Sequence, residues 1–237
     1  MPYIYSKNSV RECILNNKNI KCIYVNSLEH ELVSLVKSKN LNIKVVDNKQ
    51  LSKMASGKAQ GIVAEIESDY SYSSLQEILD GVHSKYPLIV MLDGLEDPHN
   101  LGAILRTCDA ASVDGVIIGK NRSVRLNDTV ARVSTGAIEY VKVAEVTNLT
   151  ETIKKLKTLG YWIVGAEYRD YSVNYTDLKY DMPICLVIGS EGKGISELVT
   201  KNCDFLVKIP MYGHINSLNA SVSASILIYE IIKFHIK

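Results

Sequence analysis

From Pro87 onward the chain repeats one pattern, and that pattern limits the folds open to it. LIVML, GVIIG, EYVKV, YWIVGA, ICLVIG and FLVKIP are short apolar runs separated by segments with helical spacing. Runs of this length that do not alternate with polar residues read as strands buried on both faces. Strands joined through helices run parallel. The expectation is an α/β domain, its mostly parallel sheet covered by helices on both faces. Such sheets bind ligands outside the carboxyl ends of their strands, so the turns that follow these runs are the places to look for chemistry. LTETIKKLKTLG predicts a clear helix, with a Thr-x-x-Glu-like start between Thr147 and Glu151 and Gly160 past its end. The last helix, expected from about Ser217 to Phe234, is apolar on more than one side, which predicts packing on two surfaces, one of them another subunit.

The first 67 residues have a separate rhythm. NSVRECILNN reads as a helix, IKCIYV as a strand, LEHELVSLVKSKN as an amphipathic helix and NIKVVD as a strand; a short helical stretch around QLSKMA precedes a last strand, GIVAEIES. That is a small α/β layer with its own core. DYSYSS is polar and turn-like, and SLQEILDGVHSKY reads as a helix ended by Pro87. The predicted organisation is a domain over 1–67, a linker and connecting helix over 68–86, and a larger domain over 87–237. Net charge is only +1, but it divides as +4 on residues 1–67 and −3 on the remainder, which points to an anionic partner for the first domain.

Several classes are excluded at this level. Cys13, Cys22, Cys108, Cys185 and Cys203 are odd in number, widely spaced and form no CxxC pair, so they read as buried thiols in a reducing cytoplasm. His30, His83, His99, His214 and His235 lack metal-ligand spacing, and no metal is expected. No apolar run approaches a membrane span, and Met1 does not open a signal-peptide pattern.

Three strand-end turns stand out. In NLGAILRT, residues 100–107, Leu101, Ile104, Leu105, Cys108 and Ala111 form a core stripe, and Asn100 is a candidate N-cap. Helical side chains lean toward the N-terminus, so Arg106 should lean over Gly102 toward Asn100. In LVIGSEGKGISELV, residues 186–199, a buried strand ends in a glycine-rich turn carrying Glu191. It is not a P-loop, because only two residues separate Gly189 from Gly192-Lys193. In VKIPMYGHINSLNASVSASI, residues 207–226, Ser217-Leu218-Asn219 opens the last helix. A capped helix with a surface arginine, a charged strand-to-helix turn and a serine N-cap account for each turn taken singly. The three together are harder to explain so plainly.

At these residues the chain resembles the SpoU-family RNA ribose methyltransferases of the SPOUT class. DPHNLGAILRTCDAASVDGVII matches the family's first motif, LVIGSEGKGIS its second and IPMYGHINSLNASVSASI its third, in the same order and spacing. IYSKNSVRECI and KAQGIVAEI are similar to the family's ribosomal-protein-like RNA-binding domain. There the family usually has glycine at Ser6 and His-Gln-Gly at Ala59-Gln60-Gly61. The resemblance implies S-adenosylmethionine as cofactor, methyl transfer to a ribose 2′-hydroxyl, a deep trefoil knot in the C-terminal domain and a homodimer formed through that domain. It also implies active-site positions at Asn100, Arg106, Glu191, Ser217 and Asn219, and cofactor contacts at Gly189, Ile209 and Leu218. Within the family the chain is most similar to enzymes that modify a guanosine of large-subunit rRNA. The alternatives are a tRNA ribose methyltransferase, whose guanosine-specific members generally lack the N-terminal module, and an inactive RNA-binding relative. A conventional Rossmann-like methyltransferase fits less well, since VMLDGLEDPHN offers only Gly94 before Gly102.

Overall fold

The computed structural model describes residues 3–15, 19–55, 59–66 and 70–235, and the chain forms two compact units, residues 1–70 and 71–237. The ends of the predicted segments NSVRECILNN and GIVAEIES, and the first residue of DYSYSS, lie outside the described residues.

The first unit runs β1 (Tyr3–Ile4), α1 (Lys7–Leu15), β2 (Ile20–Val25), α2 (Val33–Ser38), β3 (Ile43–Val45), α3 (Asn48–Met54) and β4 (Ile62–Ile66). Its sheet has the order β1-β4-β2-β3, with β4 antiparallel to both β1 and β2, and β2 parallel to β3. Alternation along β4 sorts the two faces. Ile62 and Ala64 join Val10, Ile14, Val33 and Val36 of α1 and α2, while Val63 joins Leu51 and Ala55 at α3. The predicted helix LEHELVSLVKSKN starts late. Ser27 Oγ accepts the Glu29 N–H and His30 Nδ1 accepts the Leu32 N–H, so residues 28–32 turn instead. Side chains that satisfy nearby backbone donors compete with helix in this way.

The second unit runs α4 (Leu75–Asp80), β5 (Leu88–Asp93), α5 (Pro98–Ala110), β6 (Gly115–Gly119), α6 (Asp128–Ser134), a 3₁₀ turn (Ala137–Glu139), β7 (Val143–Val146), α7 (Leu149–Thr158), β8 (Trp162–Ala166), β9 (Val173–Asn174), β10 (Ile184–Gly189), α8 (Glu197–Thr200), β11 (Phe205–Lys208) and α9 (Ala220–His235). The sheet order is β7-β6-β5-β10-β8-β11-β9, and every pairing is parallel. All of Ile184–Gly189 is buried, as the continuous apolar run requires. Ile78 of α4 and Ile153 and Leu156 of α7 cover one face together with Ile89, Met91, Ile117 and Val187. On α5, Leu101, Ile104 and Leu105 are buried, and on α9, Leu227, Ile228 and Ile231; these two helices pack against each other. Among the described residues no helix is long and apolar enough to cross a membrane.

Five sequence expectations are corrected. The helix expected over SLQEILDGVHSKY spans only Leu75–Asp80, and its Ile78 packs into the core of the second unit. In EYVKV the strand begins at Val143, because Tyr140 and Val141 still bond to the Ala137 carbonyl. Asn148, not Thr147, caps α7 by accepting the Glu151 N–H. Asn100 is inside α5, whose N-cap is Asp97, and the cap of α9 is Asn219 rather than Ser217.

All five cysteines are unbridged. Burial raises the Cys108 and Cys185 thiols well above their ordinary value and takes Cys203 up to about 12, so these three are inert packing groups.

Candidate active site

The sheet sets the site. β5 and β10 lie side by side at its centre in exact parallel register, Ile184 with Leu88 through Gly189 with Asp93, so their carboxyl ends finish level. The turn after β10 is a tight one: Ser190 and Gly194 exchange both backbone hydrogen bonds, at 3.1 and 3.0 Å. A side chain at Gly189 would overlap the Gly194 carbonyl group, so only glycine lets the turn fold back on the strand. The turn is anchored twice. Asp93 Oδ2 accepts the Ser196 N–H at 2.8 Å, and Glu167, at the end of β8, accepts the Ile195 N–H at 3.0 Å.

At the head of this turn three polar side chains from three motifs meet. Glu191 Oε1 accepts Asn100 Nδ2 at 2.9 Å and Asn219 Nδ2 at 2.6 Å, and Asn219 Nδ2 also reaches Asn100 Oδ1 at 2.9 Å. Asn100 is only 4% exposed, so its amide needs these partners. Asn219 has two tasks, since its Oδ1 caps α9 through the Ser221 N–H at 2.9 Å. Residues 91 and 119 positions apart in the chain are thereby fixed to one another. Glu191 is exposed, and its second oxygen has no partner among the described residues.

A cavity of about 1130 Å³ opens beside the cluster. Gly189, Glu191, Ile209, Ser217, Leu218 and Asn219 all line it. The backbone N–H groups of Ile209 and Leu218 find no acceptor among the described residues, which suits a ligand edge that accepts hydrogen bonds. Its volume exceeds what an adenosine-sized ligand needs. Glu167 and Tyr168 of the β8 end also line it, and the sequence reading missed both. Their one signal was position, immediately after the run YWIVGA at the carboxyl edge of the sheet.

Arg106 is not brought to this cluster. Six residues separate it from Asn100 on one helix, which is about 9 Å along the axis and about 120° around it. It is exposed, its side chain makes no hydrogen bond or ion pair among the described residues, and it lines neither this cavity nor the neighbouring one. Nor does Gly102 clear space for it. A Cβ at Gly102 would lie 2.7 Å from Val133 Cβ and 3.0 Å from the Val130 carbonyl oxygen. The glycine instead lets α6 approach α5 closely. Among the described residues there is also no His/Cys/Asp/Glu group that could hold a metal.

Comparison with known proteins gives a consistent result. Residues 87–229 match the SpoU rRNA Methylase family, and residues 3–71 match the RNA 2′-O ribose methyltransferase substrate binding family. A Staphylococcus haemolyticus protein assigned to the TrmH family of tRNA/rRNA methyltransferases is 46% identical over 96% of this chain and 94% of its own. The AdoMet-bound rRNA methyltransferase of Sinorhizobium meliloti has a similar fold, with a TM-score of 0.65 over 99% of this chain and 88% of that one at 23% identity. The TrmH/SpoU tRNA modifying enzyme of A. aeolicus is 31% identical, with a TM-score of 0.59 over 68% of this chain and 80% of that one.

Proposed function

Since the chain belongs to the SpoU family of RNA methyltransferases, we propose that it methylates a ribose 2′-hydroxyl, with S-adenosylmethionine as donor and a guanosine of large-subunit rRNA as target. The observation that carries this reading is the Asn100–Glu191–Asn219 cluster on the rim of the large cavity. The cavity residues Gly189, Ile209 and Leu218 would hold the cofactor, with backbone N–H groups rather than charged side chains meeting its adenine. When bound, the cofactor supplies a methyl group on a sulfonium centre.

A ribose hydroxyl is a poor nucleophile, so its orientation matters most. The free oxygen of Glu191 would accept the hydroxyl's hydrogen bond. The two amides hold that carboxylate in one position. Ser217, exposed on the cavity wall, offers a further hydroxyl toward the ribose. Arg106 would hold the adjacent phosphate, and its fixed positive charge would ease departure of the hydroxyl proton toward the Glu191 carboxylate, since a guanidinium is already protonated and cannot accept it. Because it lies away from its own chain's cluster, it would do so at the site of a second copy. That fits the proposed dimer through the second unit, for which the exposed Val222 and Tyr229 of α9 supply apolar surface. The proposed trefoil knot would be threaded where β10 enters between β5 and β8 while β11 lies beyond β8. The charge of +4 on residues 1–67 supports RNA binding there, and with it the ribosomal target.

Incubation with isotope-labelled S-adenosylmethionine and, separately, ribosomal RNA and bulk tRNA tests the reading. Digestion to nucleosides should yield labelled 2′-O-methylguanosine from large-subunit rRNA. A labelled base, or no label in any RNA, overturns it, and label in tRNA alone replaces the ribosomal target.

A further inference from the structure

A second cavity of about 630 Å³ lies on the other side of the Ser190–Gly194 turn. It is bounded by the carboxyl ends of β5 and β6, the loop after β6 and the turn itself. Ser190, Glu191 and Gly194 line both cavities, and Asn100 lines only this one, so the polar cluster forms part of the wall between them.

The charges around this second cavity are unequally committed. Asp93 accepts the Ser196 N–H, Asp97 accepts the His99 N–H and Glu191 accepts two amides. Of its lining carboxylates, only Glu96 makes no such bond. Lys120, Arg122 and Lys193 line the same cavity, and none of their side chains makes a hydrogen bond or ion pair among the described residues. Arg122 also sits in the left-handed region, at φ 53°, a conformation that costs a side-chain-bearing residue free energy. Uncommitted cations around a concave polar surface concentrate an anion there.

We propose that this second cavity receives the nucleotide whose ribose reacts, with Lys120, Arg122 and Lys193 holding the phosphates that flank it. The assignment rests on the proposed RNA methyl transfer and adds the substrate's place to it. A nucleotide seated there puts its sugar at the Asn100–Glu191 rim, where the two cavities share lining residues and the hydroxyl would meet the cofactor's methyl group. The volume lies within the about 300–1,000 Å³ usual for small-molecule sites.

The test uses Lys120→Ala and Arg122→Asn in the full-length protein; asparagine tolerates the left-handed backbone, so the second change removes charge without adding strain. Affinity for a large-subunit rRNA transcript is measured across a salt series, and affinity for S-adenosylhomocysteine by calorimetry. Each substitution should weaken RNA binding about tenfold and reduce the slope of log K against log salt by about 0.7–0.9. Cofactor-product affinity should stay as in the wild type, and Arg122→Lys should keep the wild-type slope. Unchanged RNA affinity and slope overturn the proposal. So does a parallel loss of cofactor affinity, which would make these residues supports of the fold. The functional reading fails separately: the wild type would transfer no methyl group to RNA, while the two variants still bound RNA with the lower slope.

Discussion

Asn219 is the residue at which capping and chemistry are joined. Its Oδ1 caps α9 while its Nδ2 donates to Glu191 and Asn100. Asn219→Asp keeps the cap and replaces the donor with a second carboxylate beside Glu191. Two carboxylates this close cannot both ionise freely, so one pKa rises. The variant should fold with an unchanged helical signal and lose methyl transfer by about 100-fold, the loss typical of one preorganised hydrogen-bond donor at a reacting centre. Single-turnover assays on RNA with circular dichroism check both parts, and wild-type turnover would show that the cluster only ties the fold. These residues were visible in the sequence as motif positions. That Glu191 uses a single oxygen for both amides was not visible, because hydrogen-bond geometry depends on where three distant turns finish.

The α5–α6 pair shows how an element can be misread from its own sequence. Alanine at Gly102 would favour an isolated helix by about 1 kcal/mol. Here its Cβ would press on Val133 Cβ and the Val130 carbonyl, neither of which can rotate away. Gly102→Ala should therefore destabilise the protein by about 1–3 kcal/mol, the usual cost of overpacking. Thermal unfolding decides the matter, and a raised melting temperature would mean that the helices part freely. In the first unit, strand pairing sets a charge in place. Glu65 is 5% exposed, accepts the Tyr24 hydroxyl at 2.7 Å and faces Lys21 Nζ at 3.2 Å. The Tyr24 bond, more than the lysine, holds the Glu65 carboxyl below its ordinary pKa against the effect of burial. A depressed folded-state pKa means stability that is full above the unfolded value, about 4.3, and lost as pH falls through the folded value. Tyr24→Phe should cost about 1.5–3 kcal/mol at neutral pH, and the difference from wild type should shrink below about pH 4. Hydrogen exchange in β2 and β4 reads it, and a difference that does not change with pH would remove the ionised carboxylate from the account.

At the scale of the whole molecule, the separation of Arg106 from the Asn100–Glu191–Asn219 cluster gives the dimer a test. If Arg106 serves a second copy, Arg106→Ala and Glu191→Ala should each be inactive alone. Mixed after subunit exchange, they should recover about a quarter of wild-type activity, since random pairing leaves one site in four with both groups. No recovery would assign Arg106 to its own chain or to the surface. The two units give a further test. Residues 71–237 alone should bind S-adenosylhomocysteine as the full chain does, because every residue lining the large cavity lies in that unit. They should bind RNA more weakly and with a smaller salt slope. Equal RNA binding by the shortened chain would take RNA recognition away from the first unit.

What the sequence determined by itself was what local pattern controls. Unbroken apolar runs such as ICLVIG can be satisfied only by a strand buried on both faces. Their separation by helices requires parallel pairing, so the sheet and its ligand-binding edge follow from residue order. Resemblance to the family's motifs implied Gly189, Glu191, Ile209, Ser217, Leu218 and Asn219, all of which line one cavity. Only the tertiary structure decided which helices touch and where each side chain points. Gly102 is glycine because of Val133 on another helix, and Arg106 turns away from Asn100 because helical rotation, not sequence distance, sets its direction. Glu167 enters the site because β8 lies beside β10, a neighbour it acquires from sheet order and not from the chain. Contacts between segments distant in sequence are chosen by packing, and packing is a property of the folded whole.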